Sequence, residues 1–455
     1  MAKKHSLLSP LIVVLSIVLV GLVAVAIFLR LTEPSATPTD PVVTDAPTDP
    51  PTDPPTEPPT DPPVVKTSTA TIGAVGDLLM HDGVRKSAMT SQNNTFDFSY
   101  LFQYLSPYLS ALDYAAANLE TTLCGLDNGY PYKGYPNFNC PDSIVDGVKN
   151  AGFDMLLTAN NHTYDTGHIG FIRTQQVIRD RGMDYIGTRL TTEEKNYIIK
   201  DLNGIRIGMI CYTYNTGVNS EGQVTLNGGH LMTSADSPLI NSFTPGNLNS
   251  FYAKLASELE EMKAAGAEAT VVYIHWGAEY QLSPNNVQKK IAQKLCDLGV
   301  DVIIGGHAHV IQPIELLTAT DDETRKTVCL YSTGNIVSNQ RKTNILESGH
   351  TEDGVLFSVT FAKYSDGTVV VESANVLPTW VNMYTNSSGQ RRYDILPLDT
   401  AVNWQTAYGI SSATEKLCQE SYDRTMALVG SGLETANAYF RTHQEQVEIA
   451  IGVKK

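Results

Sequence analysis

Cysteine is scarce in this chain, six in 455 residues, and no two have the close spacing of a zinc knuckle. That excludes a cysteine-built metal domain and a fold stapled by a dense disulfide framework. Positive charge is also short: 32 Lys and Arg against 48 Asp and Glu leave a net charge of -16, which argues against a nucleic-acid partner, because phosphate backbones select basic surfaces. A third lack is local. Between Glu33 and Pro63 little is apolar; Thr, Pro, Asp and Glu dominate, in a near repeat of Pro-Thr-Asp-Pro-Pro. Such a stretch cannot build a core, and fixed proline φ angles with repelling charges predict a disordered, extended spacer at about 3.1 Å per residue.

Ahead of the spacer the pattern reverses. From Leu7 to Leu29 no side chain is charged, and about 20 apolar residues suffice for a helix to cross a bilayer. Neither a small-residue cleavage pattern nor a lipid-accepting cysteine follows, so the segment is expected to be an uncleaved signal anchor in the cell membrane. Lys3 and Lys4 before it and acidic residues after it place the N-terminus inside and everything beyond Arg30 outside the cell. The expected divisions are a tip and anchor over 1–31, a linker over 32–66, a folded domain over 67–400 and a C-terminal helical segment over 401–455. An extracellular domain permits disulfides, and Cys124 and Cys140 bracket a loop where they are placed to pair; Cys211, Cys296 and Cys329 sit in apolar patterns and read as free core residues.

The folded part interleaves two periodicities. Thr69–Asp77, Ala115–Glu120, Phe153–Ala159, Thr270–Ile274 and Val302–Ile304 are short apolar runs of strand type. Helical patterns cover Pro141–Ala151, His168–Arg181, Leu248–Ala265 and Asn285–Leu298, the third opening after a Thr244-Pro245 cap and stopping at Gly266. Gly354–Ala362 and Thr368–Val376 flank Asp366-Gly367 as an antiparallel hairpin, and Ile205–Tyr212 after Asn203-Gly204 reads as another. The fold class is therefore α/β, with mixed sheets and helices outside. Beyond Ala401, Ser412–Leu428 and Ser431–Ile451 read as two amphipathic helices forming a packing appendage.

Each apolar run ends in a residue of ligand type. Gly76-Asp77 is followed by His81; Asn118 and Glu120 close the next run; Asn160-Asn161-His162 and Asp165 follow the third; His275 follows the fourth; and Gly305-Gly306-His307-Ala308-His309 ends the fifth. Two glycines allow a sharp turn at the sheet edge, and an i, i+2 histidine pair on extended chain aims both imidazoles at one centre. Singly, each residue has a structural explanation, Asn160 as a helix cap or His275 as a core histidine. Together Asp77, Glu120, Asn161, His162, His275, His307 and His309 supply hard oxygen and imidazole donors for two first-row divalent cations of the Mn, Zn or Fe class, and a close pair of such ions binds an oxyanion.

Gly76-Asp77, Asn118-Leu119-Glu120, Asn160-Asn161-His162, His275-Trp276-Gly277-Ala278-Glu279-Tyr280, Gly306-His307-Ala308-His309 with Gln312-Pro313, and Ser332-Thr333-Gly334-Asn335 resemble, in order, the motifs of CapA-type capsule synthesis proteins. These are linked to poly-γ-glutamate capsules and look like a branch of the calcineurin-like metallophosphoesterases. The resemblance implies a four-layer α/β/β/α sandwich of two mixed sheets with the metal site at one edge. It makes Asp77 and His309 ligands of one metal, Asn161, His275 and His307 ligands of another, Glu120 the bridging carboxylate, and His162, with Asp165, the catalytic acid. Substrate contacts fall to Asn118, Glu279 and Asn335, with Lys133 and Arg85 the available cations. Two departures stand out: Leu79 occupies the histidine position of the superfamily's Asp-x-His motif, with His81 the candidate replacement, and the bridging acid is Glu rather than Asp. The implied partners are an anionic polymer or phosphoester as substrate, the membrane, and other membrane subunits of capsule synthesis. The alternatives are an extracellular phosphoesterase and a non-catalytic export or binding subunit.

Overall fold

The computed structural model describes residues 64–90 and 95–451. The expected span Leu7–Leu29 and nearly all of the spacer lie outside them, and among the described residues no helix is long and apolar enough to cross a membrane.

The chain opens with β1 (Lys66–Leu78), the short helices α1 (Asp82–Ser87) and α2 (Ser106–Leu109), and β2 (Tyr114–Leu119). It continues through α3 (Ser143–Ala151), β3 (Met155–Leu157), α4 (Gly167–Asp180) and β4 (Asp184–Ile186). Helical crossovers force parallel pairing, and β1 to β4 are parallel neighbours in that order.

A hairpin, β5 (Tyr197–Leu202) and β6 (Ile205–Tyr214), starts the second sheet; Asn203 at φ 55° and Gly204 at φ 83° make its two-residue turn, as their identities predict. A small antiparallel insertion follows, β7 (Gly217–Val218), β8 (Val224–Leu226) and β9 (His230–Leu231). Next come β10 (Ser242–Phe243), α5 (Leu248–Ala264), β11 (Ala269–His275), α6 (Asn286–Asp297), β12 (Val302–Gly306), β13 (Ile311–Thr318) and β14 (Lys326–Thr333). The sheet order is β10-β6-β11-β12-β14-β13, with β5 on the side of β6. Thr244-Pro245 does not cap α5: a tight turn from Thr244 to Asn247 precedes the helix, and Asn247 holds the cap position.

At Gly334 the chain crosses from the second sheet into the first, where β15 (Asn335–Val337) pairs in parallel with the end of β1. β16 (Asp353–Tyr364), β17 (Val369–Thr385) and β18 (Arg391–Pro397) then extend the first sheet antiparallel on the side of β1 away from β2. Both sheets are thus mixed. Period-two alternation decides their faces. Ala70, Ile72 and Ala74 of β1 share one apolar cluster with Ile207, Met209, Val271, Tyr273, Val302 and Ile304 of the second sheet. Ala115, Ala117 and Leu156 point the other way, onto Ile144, Val148 and Ile178 of α3 and α4. The outer face of the second sheet, Tyr212, Val272, Ile274 and Ile303, meets Phe251 and Leu255 of α5 and Ile291 and Leu295 of α6.

Two expectations fail. Cys124 and Cys140 are both free and buried. Asn139 fastens their loop instead, accepting from Cys124 N at 2.8 Å and donating to Tyr130 O at 3.1 Å, while Cys140 N donates to Thr122 O at 2.9 Å. The two C-terminal helices, joined by the short helix α7 (Trp404–Tyr408) to β18, are one unbroken helix, α8 (Ser412–Ala450). Gly430 and Gly432 do not end it. A Cβ on Gly432 would lie 1.9 Å from Ile314 O, so the glycine lets α8 lie directly on β13. Its Val429, Ala436 and Phe440 join the cluster between the sheets. Asn437 donates to Ala374 O at 2.8 Å and accepts from Ala374 N at 2.9 Å, tying the helix to β17 as well.

Candidate metal centre

The site is built where parallel strands end. A Cβ on Gly76 would fall 1.8 Å from Gly334 O, so only glycine lets β1 press against the crossing strand, and Asp77 N donates to Gly334 O at 3.1 Å. Asp77 is fully buried; it accepts from Asn118 Nδ2 at 2.7 Å and lies 3.0 Å from His309 Nδ1. Asn118 ends β2 and is itself held by Asn160 Nδ2 at 3.1 Å. Asn160 also donates to Leu119 O at 2.9 Å, which fixes the Asn161-His162 turn to the strand carrying Glu120.

The histidine pair is not on extended chain. Gly305 and Gly306 belong to β12, and they are small for packing rather than for turning: a Cβ on Gly305 would lie 2.0 Å from Tyr331 O, and one on Gly306 would lie 3.2 Å from Asp77 Oδ1. The reversal is made by the histidines themselves, His307 at φ 89° and His309 at φ 53°. Their ring centroids stand 5.9 Å apart, and the two rings fall in different groups of possible ligand atoms. Five non-glycine described residues have positive φ, and four of them, Asn227, Tyr280, His307 and His309, lie at this site. Strain of this kind persists where the surroundings impose it, which is common at functional sites.

Two groups of ligand atoms emerge, Glu120 with His275 and His307, and Asp77 with Glu120 and His309; within each group the atoms lie within 4.8 Å of one another. Glu120 belongs to both. Its side chain is fully buried, and neither carboxylate oxygen has a hydrogen-bond partner. Oε1 is 3.5 Å from His275 Nε2, 3.8 Å from His309 Nε2 and 4.0 Å from His162 Nε2, all beyond good hydrogen-bond range. His307 Nδ1 is likewise buried without a partner. An unpartnered buried carboxylate ringed by imidazoles is costly as it stands, and a divalent cation among these donors removes that cost. The residues present therefore fit a bound metal.

Electrostatics divide the histidines. Burial, with His275 and His309 nearby, holds His307 well below the usual imidazole range, so it is neutral. Burial acts the same way on His309, but the Glu120 and Asp77 carboxylates overcome it and push it up to about 9. His162 is also raised: burial is outweighed by Asp165, 2.7 Å from its Nδ1, and by Glu120. Asp165 Oδ2 also accepts from Phe138 N at 2.7 Å, which fixes the carboxylate behind the ring.

Of the remaining expected residues, Asn161 Oδ1 lies 2.8 Å from His275 Nε2, against the Glu120–His275–His307 group. His81 joins neither group. Its Nδ1 accepts from Asn339 N at 3.3 Å, burial and His309 press it down to about 4, and it lines a cavity of about 470 Å³ beside the groups, together with Glu279, His162 and His309. Lys133 is exposed on the loop, its backbone paired with Asn139, and it does not line that cavity. Arg85 is spent on Asp82 at 3.0 Å. Asn335 is fully buried and braces His309, with Oδ1 3.1 Å from Nδ1 while Nδ2 donates to His309 O at 3.2 Å. Sequence reasoning missed Tyr214 at the end of β6, whose ring lies parallel to His275 and 4.7 Å from His307. Its place at a strand end beside His275 was the available signal.

Residues 71–340 match the family model described as bacterial capsule synthesis protein PGA_cap. The capsule biosynthesis protein CapA of Bacillus anthracis is 28% identical over 281 residues, covering 61% of this chain and 62% of the relative. The PGA biosynthesis protein CapA of Bacillus subtilis (strain 168) is 29% identical over 276 residues, covering 60% of this chain and 64% of the relative. The chain thus spans less than two thirds of each relative's length. Both ligand groups fall inside the matched stretch, and α8 lies beyond it.

Proposed function

Because the chain belongs to the bacterial capsule synthesis family PGA_cap, we propose that it is a cell-surface protein of capsule assembly whose two ligand groups hold a pair of divalent cations. The substrate is an anionic polymer, poly-γ-glutamate, or its carrier. Leu7–Leu29 anchors the protein in the membrane and the proline-rich spacer holds the domain off it. One observation carries the site: the Glu120 carboxylate, buried with both oxygens free of hydrogen bonds inside a ring of histidines. Cations held there supply Lewis acidity, neutralising negative charge on a substrate oxygen. Asp77, His309 and Glu120 hold one; Glu120, His275 and His307, with Asn161 behind, hold the other. His162, oriented by Asp165, whose carboxylate raises its hold on a proton against the effect of burial, faces Glu120 and is the group placed to give a proton to a leaving oxygen or nitrogen.

Elemental analysis of the purified full chain tests this directly. The expected content is about two first-row divalent ions per chain, on the two-metal precedent, with loss of both in Glu120→Gln. A metal-free wild type overturns the site. The His162–Asp165 pair also favours a second reading, a metal-dependent phosphoesterase. Release of inorganic phosphate from phosphoesters, against release of glutamate oligomers from the polymer, separates the two.

A further inference from the structure

The cavity beside the ligand groups has a wall whose composition selects its occupant. Among the described residues that line it there is neither Lys nor Arg, and its single carboxylate is Glu279. Glu279 is exposed, no ion pair is found for it among the described residues, and its side chain is hydrogen-bonded to Tyr280. Around it stand aromatic rings. Tyr280, held at φ 61°, has its Oη fixed by Gln340 Nε2 at 3.0 Å, and Tyr135 is 72% exposed at the rim. Glu279 lines the same cavity as His162 and His309, so it shares that space with the metal site.

The basic side chains of the lining are His81, His162 and His309, the last two facing Glu120, so an anionic group is drawn to that side while the outer wall carries the Glu279 charge. A carboxylate flanked by aromatic faces is the chemistry that recognises an ammonium group. We propose that this cavity admits the primary-amine end of an amide-linked substrate, with Glu279 pairing the ammonium, Tyr280 and Tyr135 flanking it, and the next carboxylate reaching the cations. This rests on the metal reading only for the carboxylate; the amine contact stands on Glu279 and its neighbours. It explains how an acidic protein can take a polyanion, by engaging a chain end instead of the chain's length.

The test uses the full-length protein and two probes, a γ-linked tetraglutamate with a free amino end and the same peptide N-acetylated, with binding read by calorimetry and metal content measured on the same samples. The free amine is expected to bind roughly tenfold tighter, the combined size of a partly exposed ion pair and a cation–π contact. In Glu279→Gln that preference disappears. Equal binding of the two peptides, no binding of either, or a preference that survives in Glu279→Gln overturns the proposal. A metal-free protein that still prefers the free amine overturns the metal reading and supports this one, whereas a metal-loaded protein without preference does the reverse.

Discussion

The two ligand groups share Glu120 yet differ in how they stand without metal. In the Asp77–His309 half both residues besides Glu120 are already engaged: Asp77 with Asn118 and His309, and His309 with Asn335. In the His275–His307 half, only His275 has a partner, Asn161, while His307 Nδ1 has none. Two histidines separated by one alanine are therefore driven in opposite directions, His309 up to about 9 and His307 well below its ordinary range. A cation entering the first half must displace a proton; one entering the second meets a neutral ring. Proximity in sequence says little about electrostatic kinship.

The sharpest way to break this comparison is Glu120→Gln, which removes the shared ligand; elemental analysis should find both cations gone. Next in size, His307→Ala and His309→Ala should each lose about one cation, if the halves are separate sites; loss of both in either variant would merge them. The pH dependence of loading distinguishes the halves further. Titration of the chelated protein with Mn²⁺ should fill the His307 half first near neutrality, and the His309 half should fill with proton release as pH rises toward about 9. The same shift has a stability sign. A histidine raised in the fold stabilises fully below its unfolded value and loses that contribution as pH climbs through its folded one, so the chelated protein's Tm should fall from about pH 6.5 toward pH 9. A flat Tm across that window would deny the His309 contribution.

Smaller effects sharpen the picture. Asn335→Ala leaves every ligand in place but frees the His309 ring, and affinity at that half should drop about 10–100-fold, the usual cost of losing a residue that orients a ligand. Tyr214→Phe keeps the ring against His275 and His307 and should change metal content least of all, as the same elemental analysis would register.

Much of this was legible in the residues. Apolar runs gave β1, β2, β3, β11 and β12, the four helical stretches between Pro141 and Leu298 matched observed helices to within one or two residues, and Asn203-Gly204 announced its hairpin. What stayed hidden depended on close approach or strain. Gly305, which read as a turn signal, serves instead to let backbone touch backbone, as Gly432 does inside α8, and no local pattern separates the two uses. The His-x-His pair looked extended because positive φ at histidine is rare enough to go unexpected. Cys124 and Cys140 had the right spacing for a bridge, but Asn139 closes the loop by hydrogen bonds. Asn335 carried the right motif for a contact residue, and burial turned it into a brace.

The long C-terminal helix reaches this centre indirectly. Arg424 and Ser421 hold the buried Asp353 at 2.8 Å and 2.6 Å, and Thr351, two residues before it, accepts from the Asn335 amide that braces His309. A nick or a disruptive insertion midway along α8 would therefore be felt as a loosened imidazole, making the tail of this protein a remote adjuster of the ligand group nearest β1.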